Sequence, residues 1–370
     1  SLDGENPLTP MDGEKVKLYR RCPSTGSRRF WREAVRFYQE HLPDRPYAEF
    51  FRIVKGLLTP LTAIFRRFRP DGGDVYHALN SGFAGLAGVW AKALSGRPLL
   101  VTVHGVYEDE RGWELRRLFH QGWKVRLCLN FFQRLCEAVY QGADRIVAVC
   151  EANRRRLLEL GAPEGKVEVV ENPVDGERFK PDPHPTTGQI LVGTVTRIVP
   201  VKGLRELIQA AGMLAGRMPN LRFVVVGPAQ DPEYFGECLR LVERLGLSDR
   251  FRFVGEDDPL KWYGRFDIFV LPSLMEGASM SVLEAMASGL PVVCTSAPGL
   301  RDLVGDYWPL VPPGNPEMLA ERIYEVASAL DDVRGRALAV REGIVQRFAV
   351  RRFMEAYRGV YQELVGRLNP

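Results

Sequence analysis

One stretch of the chain, residues 271–295 (LPSLMEGASMSVLEAMASGLPVVCT), limits the possible folds more than any other. The apolar run at 267–271 that leads into it is typical of a buried strand. Ser281 followed three residues later by Glu284 is a capping-box pattern, and it predicts a helix that ends near Gly289, after which apolar residues resume. A strand, a loop, a helix and a strand in so few residues indicate a βαβ unit and a parallel sheet.

The loop of this βαβ unit is where a ligand is expected, because open α/β sheets bind ligands at the carboxyl edge of their strands. The unpaired amides of residues 279–282 would face that edge and suit an anion such as a diphosphate. Glu276 in the loop and Glu284 on the helix flank this position with seven residues between them. They are candidates to bind sugar and ribose hydroxyls. The alternative is that Glu284 only closes the capping box and Glu276 is a solvated loop charge.

The segment EGASMSVLEAMASGLPVV, which begins at Glu276, closely resembles the E-x7-E segment of the retaining GT-B glycosyltransferases of family 4. The resemblance implies that Glu276 contacts the donor sugar and that Glu284 contacts the ribose of the nucleotide. Further donor contacts are expected from the loop and the first helical turn, namely Gly277, Ser279, Met280, Ser281 and Val282.

Two cations form a second candidate anion site. Arg197 and Lys202 lie five positions apart, where a strand predicted at 190–194 gives way to a helix. A forked arginine donor and a compact lysine charge both suit a diphosphate, and a solvated pair is the alternative. The segment resembles the G-R-L-x-x-x-K-G element of family 4, whose cations neutralise the donor diphosphate, although Thr196 stands where the family usually has glycine.

Two more segments complete the predicted site. His104 follows a predicted strand, where a histidine can bind a substrate hydroxyl, and a structural histidine is the alternative. The resemblance gives His104 a contact with the donor sugar. It also places the nucleobase near Gly255, Glu256 and Leu260, held largely by main-chain groups. The acidic run at 256–258 is interpreted as a loop or helix N-terminus rather than a metal site.

Composition narrows the class of protein. The 370 residues are 45% hydrophobic and 26% charged, which fits about two globular domains. The formal net charge of +4 is too small to indicate a nucleic-acid partner. The six cysteines show no CxxC pairing, and buried thiols are the simplest interpretation, with Cys128, Cys150 and Cys294 in apolar runs. No run is long enough to span a membrane and no secretion signal is visible, so a cytoplasmic location is expected.

The alternation of apolar runs and helical patterns predicts the order of the domains. A single helix is expected at 50–68, kinked near Pro60 and with its aromatic stripe in the core, and another single helix is expected at 113–141. A sixth strand of the second sheet is expected at 308–311. The predicted divisions are an irregular tail (1–28), an N-terminal, acceptor-side Rossmann-like domain (29–172), a Pro-rich linker (173–188), a C-terminal nucleotide-sugar-binding Rossmann-like domain (189–350), and a C-terminal helix (351–370) that would cross back to the N-terminal domain.

The N-terminal half resembles the branch of family 4 that serves Pel exopolysaccharide synthesis, the PelF-like glycosyltransferases. The residues that carry this resemblance include DVYHA at 74–78 and HGVY at 104–107. Val103 replaces a usual glutamate, and the pair at 108–109 replaces Thr-Arg. The opening strand and Gly-rich loop of the family have no counterpart in 1–28, which suggests a smaller N-terminal sheet, a fragment or a divergent scaffold.

These observations lead to one expectation for the whole chain. It is an α/β protein with the GT-B fold, two Rossmann-like domains facing across a cleft. It transfers a hexosyl unit with retention from a nucleoside diphosphate sugar, with UDP as the expected nucleotide, to a glycan acceptor in exopolysaccharide synthesis. No metal and no cofactor beyond the nucleotide-sugar co-substrate is expected, and a membrane polysaccharide synthase complex is a candidate partner. The alternative is a non-catalytic, nucleotide-sugar-binding scaffold subunit of such a synthase.

Overall fold

A computed structural model of the chain describes residues 27–182 and 188–366. The described residues form two compact units. The first unit contains 27–149, 153–170 and 357–366, and the second contains 150–152, 171–182 and 188–356. Apart from Ser27 and Arg28, the tail expected at 1–28 lies outside the described residues. The expectation about the missing opening strand therefore stays untested, and part of the 173–188 linker is also outside.

The first unit is built on a four-stranded parallel sheet in the order β1-β2-β3-β4. Its strands are β1 (Tyr76–Ala78), β2 (Leu99–Val103), β3 (Arg145–Ala148) and β4 (Val167–Val169). Its helices are α1 (Arg28–His41), α2 (Tyr47–Arg67), α3 (Phe83–Ser95), α4 (Tyr107–Leu118), α5 (Gly122–Gly142) and α6 (Glu151–Glu159), the last of which begins with residues of the second unit. Every residue of β2 is buried, as expected for a central strand covered on both faces.

The two faces of this sheet differ in chemistry. On one face, Leu99, Val101 and Val103 join an apolar core with α3 and α5. The other face carries His77 and Thr102, whose Nε2 and Oγ1 atoms lie 2.8 Å apart. The final helix α14 (Val350–Gly366) packs there, and its Tyr361 hydroxyl lies 2.7 Å from His77 Nδ1. The helix is thus held by hydrogen bonds as well as by apolar contacts.

The prediction of a single helix at 113–141 is wrong. Helix α4 ends at Leu118, and Phe119 and Gln121 have extended backbone before α5 begins. This break lets α5 turn its apolar side inward, so that Trp123 is buried while Leu118 stays exposed. By contrast, α2 runs as one helix through Pro60. Its apolar stripe is only half-buried, and Phe50 is the one fully buried residue of that helix.

The second unit is built on a five-stranded parallel sheet in the order β7-β6-β5-β8-β9. Its strands are β5 (Ile190–Val195), β6 (Leu221–Val226), β7 (Phe251–Gly255), β8 (Ile268–Leu271) and β9 (Val292–Cys294). Its helices are α7 (Leu204–Leu214), α8 (Pro232–Arg244), α9 (Leu260–Tyr263), α10 (Met280–Ala287), α11 (Pro298–Val304), α12 (Pro316–Ser328) and α13 (Leu330–Arg347). Two parallel sheets with helices between their strands confirm the predicted α/β fold with two domains.

The sixth strand expected at 308–311 is absent from this sheet. Val311 forms an isolated bridge with Thr295 and no longer ladder. Pro309, Pro312 and Pro313 surround it in the sequence, and proline cannot donate the hydrogen bonds that a ladder needs. The expectation of buried thiols is met for the cysteines that the structure describes, Cys128, Cys136, Cys150, Cys238 and Cys294, whereas Cys22 lies outside the described residues. Among the described residues, no helix combines the length and the apolarity that crossing a bilayer requires.

The strand order of the second sheet contains a topological switch point. From β5 the chain builds outward through β6 and β7, and it then crosses to the opposite side to form β8 and β9. The helices that follow β5 and β8 pack on opposite faces of the sheet, and the loops that lead to them meet at the carboxyl edge. Ligands of open α/β sheets bind at such switch points.

Candidate functional site

A lysine and a glutamate meet at the switch point of the second sheet. Lys202 ends the loop that follows β5, and Glu276 lies in the loop that follows β8. Lys202 Nζ donates to Glu276 Oε2 at 2.6 Å, and the two side chains are only 14% and 12% exposed. The loops are also joined through the backbone, since Leu274 N donates to Val201 O at 2.8 Å. Positive and negative charge are thus fixed side by side at the edge where a ligand is expected.

Gly203 makes this close approach of the loops possible. It has φ +65° and caps the start of α7. A Cβ atom at this position would lie 2.0 Å from the carbonyl oxygen of Pro272, which begins the other loop. A residue with a side chain is therefore unfavourable here for two reasons: the backbone is left-handed, and its Cβ would clash with the Pro272 carbonyl. Glycine at 203 is required for Lys202 to reach Glu276.

The carboxylate of Glu276 is oriented by a second hydrogen bond. The buried Ser273 donates from Oγ to the same oxygen, Oε2, at 3.0 Å. Ser273 is itself held by Thr295, whose Oγ1 donates to the Ser273 carbonyl at 2.6 Å. Both partners use Oε2, and within the part of the chain that the structure describes Oε1 accepts no hydrogen bond. Oε1 is therefore available to a ligand hydroxyl.

The prediction of a capping box formed by Ser281 and Glu284 is wrong. Ser279 is the N-cap residue, Met280 is the first helical residue, and no side chain caps the helix. Ser281 lies inside the first turn, 3.2 Å from Ser279 between the two Oγ atoms. The first backbone bond of the helix runs from Leu283 N to Ser279 O, so the amides of 280–282 precede the bonded part of the helix. The predicted amide donors therefore exist, although the predicted cap does not.

Glu284 has a tertiary partner in place of the expected local one. The Tyr263 hydroxyl donates to Glu284 Oε2 at 2.7 Å and also contacts the Ser281 carbonyl at 3.2 Å. Burial raises the pKa of Glu284, while the bond from Tyr263 and the charge of Arg178 act in the opposite direction. Glu284 is thus a partly buried carboxylate on the second turn of α10, and Val282 beside it is buried in the core.

The remaining candidates of the second unit lie along the same carboxyl edge. Arg197 follows β5, is exposed, and donates from Nη1 to Gln230 Oε1 at 3.0 Å. Gly255 ends β7 with φ +86°, and its carbonyl accepts from Gly227 N at 2.8 Å. Glu256 is exposed directly after it, and Leu260 begins α9. Across the sheet, the carboxyl edge therefore presents the loop after β7, then the two cations after β5, and then the loop between β8 and α10.

The acidic run at 256–258 belongs to the loop before α9. Asp257 accepts a bond from Trp262 Nε1 at 2.9 Å, and Asp258 accepts one from Leu260 N at 3.1 Å. Both carboxylates are therefore used to shape the loop. No cluster of three or more His, Cys, Asp or Glu side chains suited to a metal ion occurs among residues 27–182 and 188–366.

His104 lies in the first unit, and so it is not part of this edge. It follows β2 and is exposed, and Asn153 Nδ2 donates to its carbonyl at 3.3 Å. Partial burial lowers the pKa of its imidazole. The pKa of His77 is lowered mainly by burial and to a smaller extent by the charge of His104. Both imidazoles are therefore neutral near pH 7, and His104 is able to accept or donate a hydrogen bond.

Sequence reasoning missed the residues that hold the candidate carboxylates. Ser273, Thr295 and Tyr263 each contact one of them or its neighbour, and each comes from a different segment. Ser273 had a local signal, because a small polar residue directly after a buried strand commonly faces the ligand edge. Tyr263 had none, since its partner Glu284 is distant in sequence and only the fold brings them together.

Parts of this chain match known protein families and known proteins. Residues 175–331 match the family model of glycosyl transferases group 1, and residues 13–165 match a domain of unknown function, DUF3492. A 2-deoxystreptamine glucosyltransferase of Streptomyces kanamyceticus is 29% identical over 84% of this chain and 82% of its own length. A D-inositol 3-phosphate glycosyltransferase of Catenulispora acidiphila is 34% identical over 46% of this chain, which spans 44% of that protein.

Solved structures show the same architecture. HepE of Anabaena, in complex with UDP and glucose, superposes with a TM-score of 0.65 at 23% identity, covering 84% of this chain and 80% of that one. Sucrose-phosphate synthase of Thermosynechococcus elongatus superposes with a TM-score of 0.67 at 20% identity, covering 87% and 80%. At these identities the similarity shows the fold. Residues 175–331 thus match the glycosyl transferases group 1 family model, in a chain whose two-domain parallel α/β fold is that of the GT-B glycosyltransferases.

Proposed function

We propose that this chain is a retaining, metal-independent glycosyltransferase that transfers a hexosyl unit from a UDP-sugar to a glycan acceptor, in exopolysaccharide synthesis of the PelF-like kind. The observation that carries the proposal is the contact between Lys202 and Glu276 at the switch point, beside the start of α10. A cation, a carboxylate and free helix-end amides at one sheet edge suit a ligand that combines a diphosphate with a sugar.

The positive side of this edge would stabilise the departing nucleoside diphosphate. Negative charge grows on the diphosphate as the bond from the sugar anomeric carbon to its oxygen breaks. Lys202, Arg197 and the amides of 280–282 are donors already held in place, so they can stabilise that charge without rearrangement. Arg197 is exposed, and within residues 27–182 and 188–366 its side chain donates only to the neutral Gln230 amide, which leaves its remaining N–H groups for phosphate oxygens.

Glu276 would orient the donor sugar. Its Oε2 atom is held by Lys202 and Ser273, which points the free Oε1 in a defined direction. A carboxylate oxygen accepts from sugar hydroxyls, and it can serve this role without changing its protonation state. Glu284 lies on the second turn of α10 and accepts a hydrogen bond from Tyr263. It would accept hydrogen bonds from the ribose hydroxyls, as the family resemblance implies.

The family mechanism supplies the chemistry of transfer. The acceptor oxygen forms its bond to the anomeric carbon on the face from which the diphosphate leaves, and the acceptor proton passes to a diphosphate oxygen. Atoms and charges balance without an enzyme nucleophile. His104 would contribute a neutral imidazole to a donor-sugar hydroxyl, and its lowered pKa supports that role.

The comparisons support the choice of donor. HepE is described in complex with UDP and glucose, and one relative is a glucosyltransferase. We therefore infer UDP as the nucleotide and a hexose as the transferred sugar. Residues 175–331, which match the glycosyl transferases group 1 model, contain the whole Lys202–Glu276 site.

The experiment is a mass-spectrometric screen for UDP released from UDP-glucose, UDP-N-acetylglucosamine and UDP-N-acetylgalactosamine. Turnover of one donor is expected, and Arg197→Ala and Lys202→Ala should each reduce it by about a hundredfold or more. Arg244→Ala is the matched control, because this exposed cation ends α8 away from the carboxyl edge. Unchanged turnover in both site variants would refute the assignment.

Calorimetric titration with UDP, combined with the turnover assay, separates an enzyme from a binder. UDP binding without turnover of any donor or acceptor combination would favour the scaffold subunit over the enzyme. Absence of both binding and turnover would reject the nucleotide site altogether.

A further inference from the structure

The first unit presents an exposed leucine at the break between two of its helices. Leu118 is the last residue of α4 and is 71% exposed, and no large apolar side chain among residues 27–182 and 188–366 is more exposed. The break that turns Trp123 of α5 into the core leaves Leu118 directed to solvent. The core therefore gives most of this side chain no apolar partner.

Cations lie on both sides of this leucine. Arg116 and Arg117 precede Leu118 on α4, and both are exposed. Leu118 borders an open hollow, and the exposed Arg52 of α2 borders the same hollow on its other side. Lys55 follows Arg52 by three residues and is exposed on the same face of α2. These four cations and Leu118 are called the basic surface below.

The fold does not neutralise the charge of the basic surface. None of its four cations forms an ion pair with a carboxylate in the part of the chain that the structure describes. The carboxylates that line the hollow are already used, because Glu49 pairs with Lys124 at 3.0 Å and Glu114 pairs with Arg111 at 2.8 Å. The surface therefore carries positive charge that is free to attract an anionic partner.

The sequence concentrates positive charge in the same part of the chain. Residues 27–69, which contain α1 and α2, hold ten Lys and Arg against four Asp and Glu. This excess is larger than the formal net charge of +4 of all 370 residues, so the remainder of the chain is not basic. Charge confined to one region indicates a local anionic partner, since a general property of the protein would spread it over both units.

The exposed leucine selects an anionic lipid surface among the polyanions. Sites for single-stranded nucleic acid combine cations with aromatic rings that stack on bases, and an exposed leucine does not serve that purpose. At an anionic bilayer, the cations bind lipid phosphates while an apolar side chain enters the boundary between headgroups and acyl chains. Trp113, half-buried beside Arg117 at 5.0 Å, adds an aromatic ring of the kind enriched at that boundary.

We propose that the basic surface binds the chain to the surface of an anionic lipid bilayer. Leu118 inserts at the level of the headgroups, and the cations of α2 and α4 contact the lipid phosphates around it. The chain lies on the bilayer in this mode, as peripheral proteins do. The inference does not depend on the proposed transferase activity, because the basic surface shares no residue with the Lys202–Glu276 edge.

Vesicle co-sedimentation of the full chain tests the charges. Vesicles of phosphatidylcholine with about one-third phosphatidylglycerol should bind the chain at low salt at least about tenfold more tightly than vesicles of phosphatidylcholine alone. Arg116→Gln with Arg117→Gln, and separately Arg52→Gln with Lys55→Gln, should each weaken binding to the anionic vesicles by about tenfold or more. These losses should shrink as salt rises, because salt screens exposed charges.

The leucine separates a lipid surface from other anions. Leu118→Ser should weaken vesicle binding by about fivefold, and this relative loss should persist as salt rises because it is not electrostatic, whereas Leu118→Trp should retain binding. The matched controls are Leu239→Ser and the pair Arg240→Gln with Arg244→Gln, since these side chains are exposed on α8 of the second unit. They should leave vesicle binding unchanged.

The outcomes are decisive because every substituted side chain is exposed, and unchanged circular dichroism would show that each variant is folded. Three results would overturn the proposal. The first is equal binding to neutral and anionic vesicles. The second is anionic binding that survives Leu118→Ser and both pairs of charge variants. The third is tighter binding to polyuridylate RNA than to the anionic vesicles, with no effect of Leu118→Ser on either.

Discussion

The contact between Lys202 and Glu276 allows a quantitative test of the site. The charges are 2.6 Å apart, and the side chains are 14% and 12% exposed. With an effective dielectric constant of about 20, the attraction is roughly 6 kcal/mol before the cost of desolvation. Removing one partner of a buried pair costs about 3–5 kcal/mol, because the other charge stays buried. Since Ser273 still donates to the carboxylate in Lys202→Met, we expect a loss of about 2–4 kcal/mol.

The double variant separates the pair from its surroundings. Glu276→Gln removes the buried charge that Lys202→Met leaves unpaired, so the two changes together should cost less than the sum of the single ones. We expect a coupling energy of about 1.5–3 kcal/mol. Lys202→Arg is a useful control, because it keeps the charge but changes the shape of the donor.

The assay must report on the second unit alone, because a chain of two compact units need not unfold in one step. Hydrogen-exchange mass spectrometry of peptides from β5 and β8 measures the local opening free energy on both sides of the pair. A coupling energy below about 0.5 kcal/mol, with the variants folded, would refute the reasoning, since neighbours that share an ion pair should not be additive.

Three further outcomes follow from the described contacts. Burial raises the pKa of Glu108, so folding favours its protonated form; stability should fall as pH rises from the ordinary glutamate range through the folded pKa, and Glu108→Gln should remove that slope in thermal melts taken across pH. Gly203→Ala should lower the opening free energy of the second unit, measured by the same hydrogen exchange, by about 2–4 kcal/mol, whereas Gly246→Ala, which has the same φ of +65° but open space around its Cβ, should lower it by only about 1–2 kcal/mol. Tyr263→Phe should lower it by about 1–3 kcal/mol by leaving Glu284 without its donor, and equal opening free energies of the variant and the parent chain would contradict that role.

Local patterns predicted the second unit well. Apolar runs at β5, β6, β7, β8 and β9 alternate with amphipathic helices. Each βαβ unit is short, so its strand and helix patterns lie close together in the sequence. The same windows placed Arg197, Lys202 and Glu276 after strands. Parallel strands align their carboxyl ends, so a shared edge followed from the pattern itself.

Errors arose where a local signal competed with a distant partner. Ser281 and Glu284 have the spacing of a capping box, yet Glu284 accepts from Tyr263 instead, because α9 packs against α10 in the folded unit. The helix expected at 113–141 is divided so that Trp123 can be buried. In each case a tertiary contact outweighed a propensity that is worth little by itself.

The amino-acid sequence alone therefore determined the alternation of strands and helices, the parallel sheet and the positions of charges at strand ends. These features depend on periodicity and on residues close in the chain. The tertiary structure decided which charges meet. Lys202 reaches Glu276 only because β5 and β8 are neighbours in the sheet and Gly203 has no side chain to block the Pro272 carbonyl.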